Sequence, residues 1–516
     1  MKILKIKKHL LKCLLITLSI STYSQQLPNR YIENITQNVQ ITKNIIFSTN
    51  IPTVRTTNLF GNHIANEDSF GKKKVTLKMD IYRPSGDTLT KRPVIIFAFG
   101  GAFINGKKSN KGMVKLCEEF ARRGFVTASI EYRLGMNITD QELSRRAVYR
   151  ALQDGRSAVR FFRKNAATYG IDPDQVYISG QSSGAILSLH SVYLDKESDR
   201  PASTRDYFGR PDLGGIESIG DNKTYNNGSV VNGKANGVMA FAGALGEIDY
   251  IENANDVKAI YFHSTDDNII LYDSGEPFKN FNWIPGFNLP TLYGSKPLSI
   301  RSSNVNLTNA LYTYSNRGHA VHLDGNSIYP DITPKGSQYF YDNFLKPNNV
   351  TISGNNLGCS NCIETYSVPN NSFYYDWEVI GGSIINQSPY SNNVTIQWNS
   401  TSTKQITVTN YSRQLARGNV TSLVINNQLK NFVQPVVTIS PNPFKENLNI
   451  ELNEAFNGEI RIAIFNINGE EVLNTHSTKN NPTIIETINT SNLISGFYFI
   501  KIIDEKNSVV KKLIKQ

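Results

Sequence analysis

Five residues, Gly180-Gln181-Ser182-Ser183-Gly184, carry the most specific chemical signal in the chain. A serine hydroxyl is a weak nucleophile until a neighbouring base takes its proton, and it must stand clear of the backbone to reach a carbonyl carbon. Val176-Tyr177-Ile178-Ser179 reads as a strand before this pentapeptide, and Ala185 to Tyr193 reads as a helix after it. A sharp strand-to-helix turn exposes the side chain at its tip, and small flanking residues let the backbone double back. Ser182, at the centre of the pattern, is the candidate nucleophile, and Ser183, one place off, is the poorer one.

Acyl transfer by such a serine also needs a base, a carboxylate to orient it, and N–H donors aimed at the developing oxyanion. The N–H of Ser183, the first residue after the nucleophile, is one candidate donor. Upstream, the apolar run Val94 to Phe99 leads into Gly100-Gly101-Ala102-Phe103, a loop whose glycines let the backbone approach a substrate. Downstream, the strand Ala259 to His263 is followed at once by Ser264-Thr265-Asp266-Asp267-Asn268, which offers two adjacent carboxylates. After a last strand, Ala310 to Tyr314, comes Gly318-His319, with His322 three residues on as the rival base. An imidazole near its ordinary pKa suits proton transfer around neutral pH. His263, at a strand end, reads as structural.

The loop after the apolar run resembles the His-Gly-Gly-Gly/Ala-Phe motif of hormone-sensitive-lipase-like and other carboxylesterases, with Phe99 in place of the usual histidine. The resemblance puts the oxyanion donors at Gly101 and Ala102. The turn after His263 resembles the His-Gly-Thr-x-Asp turn of many esterases, which puts the acid at Asp267, with Asp266 the adjacent alternative. Residues 70–346 as a whole resemble bacterial α/β-hydrolase carboxylesterases, and Asp154-Gly155-Arg156-Ser157-Ala158 and Gly170-Ile171-Asp172-Pro173 add to the likeness. In that fold the chain order is serine, acid, histidine, as it is for Ser182, Asp267 and His319. The resemblance implies a two-step hydrolysis of carboxylic esters that requires no metal or organic cofactor. A serine peptidase of the same fold, and a binding or adhesion protein with an inactive hydrolase domain, are the alternatives.

The elements that must position these residues alternate between β and helical patterns from about residue 70 to 346. Val75 to Tyr82, Phe125 to Tyr132 and Val238 to Ala242 complete the strand set. Val148, Leu152, Val159, Phe162 and Ala166 repeat at helical spacing. The fold class is α/β, a doubly wound, mostly parallel sheet of the α/β-hydrolase type followed by two small all-β sandwiches. The interval from Asp267 to His319 exceeds a single βα step, so residues 270–305 read as a structureless aromatic insertion beside the pocket. It carries Phe278, Phe281, Trp283, Ile284, Phe287 and Leu289 among prolines and glycines. A second, polar insertion spans 195–236, where lids often fall.

Near Lys346-Pro347-Asn348-Asn349 the helical spacing stops. Residues 350–434 resemble PKD-like immunoglobulin-fold modules on the pattern Tyr375-Asp376-Trp377-Glu378-Val379-Ile380-Gly381-Gly382 followed by Val394 to Trp398, with Trp377 and Trp398 as core residues. From Ser440-Pro441-Asn442-Pro443-Phe444 to the basic end, residues 435–516 resemble the C-terminal sorting domain of type IX secretion. That resemblance implies the secretion machinery as a partner and an extracellular or cell-surface location. Residues 1–24, lysine-rich and then apolar from Leu14 to Ile20, read as a secretory signal, which leaves 25–349 for the hydrolase domain. No other segment is apolar for long enough to cross a membrane.

The formal charge is +11, and five of those charges are lysines of the first twelve residues, so about +6 is left spread along the rest. With no dense basic face, a nucleic-acid partner is not expected. Cys117 sits on an apolar helix face, and Cys359 and Cys362, spaced for a local disulfide, lack a second ligand pair for a metal.

Overall fold

A parallel strand buried on both faces must be a continuous apolar run. Arg92–Ala98, every residue of it buried, runs through the middle of the largest sheet. The computed structural model describes residues 29–53, 56–57, 63–64, 73–205, 207–208, 210–278, 287–359, 361–400, 403–426, 435–479 and 484–516. The expected signal segment lies outside them, as do Phe281, Trp283 and Ile284.

The central sheet has eight strands: β1 (Val39–Thr53), β2 (Lys73–Pro84), β3 (Arg92–Ala98), β4 (Val126–Ile130), β5 (Ile171–Gln181), β6 (Gly237–Phe241), β7 (Lys258–Ser264) and β8 (Asn309–Tyr314). Their spatial order is β1-β2-β4-β3-β5-β6-β7-β8. The β1–β2 and β2–β4 pairs are antiparallel, and every later pair is parallel. Helices α1 (Lys111–Arg122), α2 (Gln141–Lys164), α3 (Ser183–Tyr193) and α4 (Ser295–Asn304) cross between parallel strands or lead into them, and α5 (Ile332–Phe340) follows β8. This is the doubly wound α/β-hydrolase architecture that the sequence implies.

Two elements escape the sequence pattern. β1 is an edge strand whose pairing with β2 is broken by irregularities between Thr42 and Ile45 and again on to Ile51, so its hydrophobic alternation is interrupted. The second half of the insertion is not structureless. Residues Leu292–Gly294 form a short strand and α4 follows. The proline of Ser295-Lys296-Pro297 sits in the first helical turn, where its missing N–H breaks no helical bond.

Beyond residue 349, β9 (Ile363–Ser367), β10 (Tyr374–Ile380), β11 (Gly382–Gln387), β12 (Asn393–Trp398), β13 (Gln405–Tyr411) and β14 (Arg417–Val424) form two three-stranded antiparallel sheets. Trp377 and Trp398 are buried between them, and Cys359 and Cys362 form a disulfide at their edge. The last unit packs Val437–Ser440, Asn447–Leu452 and Ile484–Asn489 against a four-stranded sheet ending at Ser508–Lys515. Among the described residues no helix is long and apolar enough to cross a membrane.

Candidate active site

Ser182 stands between β5 and α3 with φ 55° and ψ −122°, a left-handed backbone that a residue with a side chain adopts only under local constraint. The constraint is the closeness of the two elements. A Cβ on Gly184 would lie 2.1 Å from the Ala98 carbonyl oxygen, and one on Gly180 would lie 2.3 Å from the Gly184 carbonyl carbon. The Ser182 N–H donates to the Phe241 carbonyl at 2.9 Å, tying the turn to the end of β6.

The loops after β7 and β8 meet beside it. The His319 Nδ1 lies 2.8 Å from Asp267 Oδ2, and the Asp267 side chain is fully buried. Its other oxygen accepts the Ile269 and Ile270 N–H groups at 2.9 and 3.1 Å. Burial raises the Asp267 carboxyl, but donors from His263 and then His319 outweigh it and hold the group well below the carboxylate range. Asp266 instead accepts the Ser264 hydroxyl and the Gly318 N–H and makes no contact with an imidazole, so the geometry favours Asp267 of the pair. His322 is buried against the Phe241 ring, its centroid 5.2 Å away, and among the described residues neither ring nitrogen has a hydrogen-bond partner. Burial, then the neighbouring His319, pushes its pKa down to about 3. Gln181 Nε2 donates to the His319 carbonyl at 3.4 Å, which keeps the base loop against the elbow, although the Ser182 hydroxyl and the His319 ring are not hydrogen-bonded to each other.

The loop after β3 bends through three consecutive positive φ values, 137° at Gly101, 55° at Ala102 and 56° at Phe103. The Ile104 and Asn105 N–H groups both donate to the Gly101 carbonyl at 3.0 Å, closing this run into a tight turn. Phe99 does not leave the loop unsupported. Its ring stacks on Tyr132 with centroids 4.4 Å apart, and its carbonyl accepts the Tyr132 hydroxyl at 2.7 Å. The Tyr132 oxygen also lies 3.2 Å from Ser183 Oγ, so one phenol links the loop to the elbow. Arg133 next to it is anchored by Asp154, which accepts both the Arg133 N–H and its guanidinium at 2.8 and 3.0 Å. Tyr132 was not among the residues that sequence reasoning singled out. Its signal was the tyrosine at the mouth of a buried strand.

An apolar cleft opens from Ser182, Ala102 and Phe103. Val148, Leu152 and Ile186 form its inner wall, and Ile270, Phe278 and Leu289 bring in the insertion expected to line it. The polar side chains on its wall are satisfied within the protein. Tyr149 donates to the Gly214 carbonyl at 2.9 Å, and His190 bridges the Ile186 carbonyl and the Gly246 N–H at 2.8 and 3.1 Å. Burial pushes His190 down to about 4. The polar insertion 195–236 lies mainly along α2, where Tyr149, Gln153 and Arg156 hold its backbone and Glu217. Among its described residues only Pro201, with the neighbouring Leu194, lines the cleft.

An elbow serine, an acid–histidine pair on later loops and this strand order define an α/β-hydrolase. More particularly, residues 79–281 match the BD-FAE family and residues 438–516 the secretion system C-terminal sorting domain. The chain thus contains a segment that matches the BD-FAE family on an α/β-hydrolase fold, and a sorting segment that indicates export to the cell surface or beyond. Among curated relatives, a probable isoprenylcysteine alpha-carbonyl methylesterase of Arabidopsis thaliana is 32% identical over 115 residues, 22% of each chain. Esterase-5B of Drosophila persimilis is 30% identical over 144 residues, 27% of this chain and 25% of its own. The chain spans less than a third of the length of such relatives. The propionate-bound esterase 2 of Thermogutta terrifontis is 22% identical, with 53% of this chain and 93% of that one covered at a TM-score of 0.37.

Proposed function

We propose that the protein is a serine carboxylic ester hydrolase exported by the type IX machinery. The observation that carries this reading is Ser182 on a strained strand-to-helix turn, at the mouth of an apolar cleft and beside the His319–Asp267 pair. The Ser182 hydroxyl attacks the ester carbonyl carbon while His319 Nε2 takes its proton, and Asp267 steadies the imidazolium through Nδ1. The N–H groups of Gly101, Ala102 and Ser183 receive the oxyanion. Collapse of the tetrahedral adduct breaks the ester C–O bond, and the alcohol leaves with the proton held by His319. Water, deprotonated by the same imidazole, then releases the acid from Ser182.

The apolar walls favour an ester whose acyl or alcohol part is larger and less polar than acetate, because such a group leaves water for the cleft without losing hydrogen bonds. Fluorophosphonate labelling tests the nucleophile. Wild type should label and Ser182→Ala should not; an unlabelled wild type, or a labelled Ser182→Ala protein, would falsify the assignment. A chain-length panel of p-nitrophenyl esters tests the cleft, with kcat/KM rising beyond the acetyl ester. Esters of polysaccharides belong in the same panel as candidate natural substrates.

A further inference from the structure

We propose that His263 is a positioning residue of the Ser182 site, holding the carboxylate of Asp267 from the side opposite His319. The inference rests on the hydrolase reading above and deepens it. His263 is the last but one residue of β7, fully buried, and its Nε2 lies 3.2 Å from Asp267 Oδ2 and 3.0 Å from the Ile270 carbonyl oxygen. Both of those neighbours only accept, so Nε2 carries the hydrogen, donates it to the Ile270 carbonyl and keeps its positive edge beside Oδ2. On the other side of the ring, Nδ1 lies 2.8 Å from the hydroxyl of Ser295, itself fully buried, and this hydroxyl donates to the neutral nitrogen. One tautomer of His263 satisfies every contact, and it is the tautomer that presents its Nε2–H edge to Asp267.

Asp267 thus accepts two backbone N–H groups on Oδ1 and the His319 imidazole on Oδ2, and the Nε2 edge of His263 lies 3.2 Å from the same Oδ2. The backbone pair fixes where the carboxylate sits. His263 prevents Oδ2 from swinging away when His319 moves toward the serine. The ring of Tyr272 packs edge-on to His263 with centroids 5.7 Å apart. Ile270, Tyr272 and Ser295 all belong to the insertion after β7, and Ile270 also lines the cleft. The segment that shapes the pocket is thus the one that sets the acid, so a change in its length or packing would alter turnover as well as substrate choice.

The test compares full-length His263→Leu, His263→Gln and Ser295→Ala with wild type and Ser182→Ala. Leucine fills the space without a donor, and the glutamine amide nitrogen lies near the place of Nε2. His263→Leu should lower kcat on the order of 10- to 100-fold with KM nearly unchanged, the scale expected when a catalytic group is held slightly off its line. His263→Gln should recover most of that loss, and the downfield Nδ1–H resonance of His319 should broaden in the leucine variant and persist in the glutamine one. Ser295→Ala, which keeps the ring and loses only the tautomer lock, should fall several-fold and provides the reading if His263→Leu does not fold. Wild-type kcat in His263→Leu, or in Ser295→Ala where the leucine variant is unfolded, overturns the proposal. So does a glutamine variant as slow as the leucine one, because packing alone would then explain the loss. If Ser182→Ala stays active, the hydrolase reading itself fails, whereas an inactive Ser182→Ala beside a fully active His263→Leu sinks only the role of His263.

Discussion

The two ends of β5 are built for opposite purposes. At its carboxyl end the chain enters Ser182 with φ 55°, faced by a loop with three further positive φ values. At its amino end Asp172 is buried and receives an amide from another module. Gln414 Nε2, on the loop between β13 and β14, donates to Asp172 Oδ2 at 2.6 Å. The Gln414 carbonyl accepts the Tyr31 hydroxyl at 2.7 Å, and Ala416 is packed into the core of the hydrolase. Ten residue steps lead from Asp172 to Ser182, which at about 3.3 Å per strand residue places the docking loop roughly 30 Å from Ser182. The β-sandwich is thus anchored away from the cleft. Positive φ occurs at both ends, at Ser182 and its facing loop and also at Tyr31 and Leu415, but the end that carries the next module is closed by hydrogen bonds and apolar contact.

The largest effects on turnover should come from the carboxyl end. Ser182→Ala is expected to remove at least about 10⁴-fold of kcat, and Asp267→Asn a similar factor, because the amide would favour the wrong imidazole tautomer. Thermal unfolding of the serine variant should match wild type or exceed it, since the strained turn loses only a hydroxyl. Tyr132→Phe comes next. It keeps the ring stacked on Phe99 and deletes the hydroxyl that joins the Phe99 carbonyl to Ser183, so kcat should fall about 10-fold with KM held, at a cost of about 1 kcal/mol in stability. Steady-state kinetics beside urea unfolding would separate the two effects, and an unchanged kcat would mean that the loop holds its shape without Tyr132.

Much of this contrast was legible in the residues and some was not. The elbow could be read because its geometry demands small residues at fixed spacing, and the order of Ser182, Asp267 and His319 follows from where loops leave a doubly wound sheet. The buried strands could be read because burial on both faces requires unbroken apolar runs. Edge strand β1 could not, since bulges scramble its period, and α4 could not, since Ser295-Lys296-Pro297 resembles loop text. Tyr132 and His263 were hidden for another reason. A tyrosine or histidine at a strand end is common, and only the fold brings one beneath the loop after β3 and the other against Asp267. The docking of the sandwich rests on Gln414, a polar residue in a short loop that nothing in the sequence distinguishes.

That docking supplies the next test. Gln414→Leu leaves the Asp172 carboxylate buried without its amide, and such an unmade bond costs about 1–3 kcal/mol. The loss should appear as lower stability of the hydrolase domain in denaturant, with kcat and KM at wild-type values across the ester panel. A selective loss of activity on a bulky or polymeric ester, at normal stability, would break the comparison by showing that the sandwich reaches the substrate.

The smallest effect concerns a polar group left unsatisfied near the cleft. His322 is 2% exposed, both its nitrogens lack hydrogen-bond partners among the described residues, and burial holds its pKa near about 3. It therefore stays neutral beside His319 and puts no like charge against the imidazolium that forms in the reaction. The same depression weakens the fold in acid. An unfolded histidine takes up a proton below about pH 6.5, and the folded one does not until about pH 3, so the stability present above pH 6.5 is lost as pH falls through that window. At about pH 5 the loss is about 2 kcal/mol. His322→Leu removes this term and needs no hydrogen bonds. Its stability relative to wild type should rise by about that amount between about pH 8 and about pH 5. Urea unfolding at the two pH values measures the difference directly. An unchanged difference would mean that His322 already shares a proton or a bridging water in the folded protein, and the acting end would then be as fully satisfied as the end that docks the sandwich.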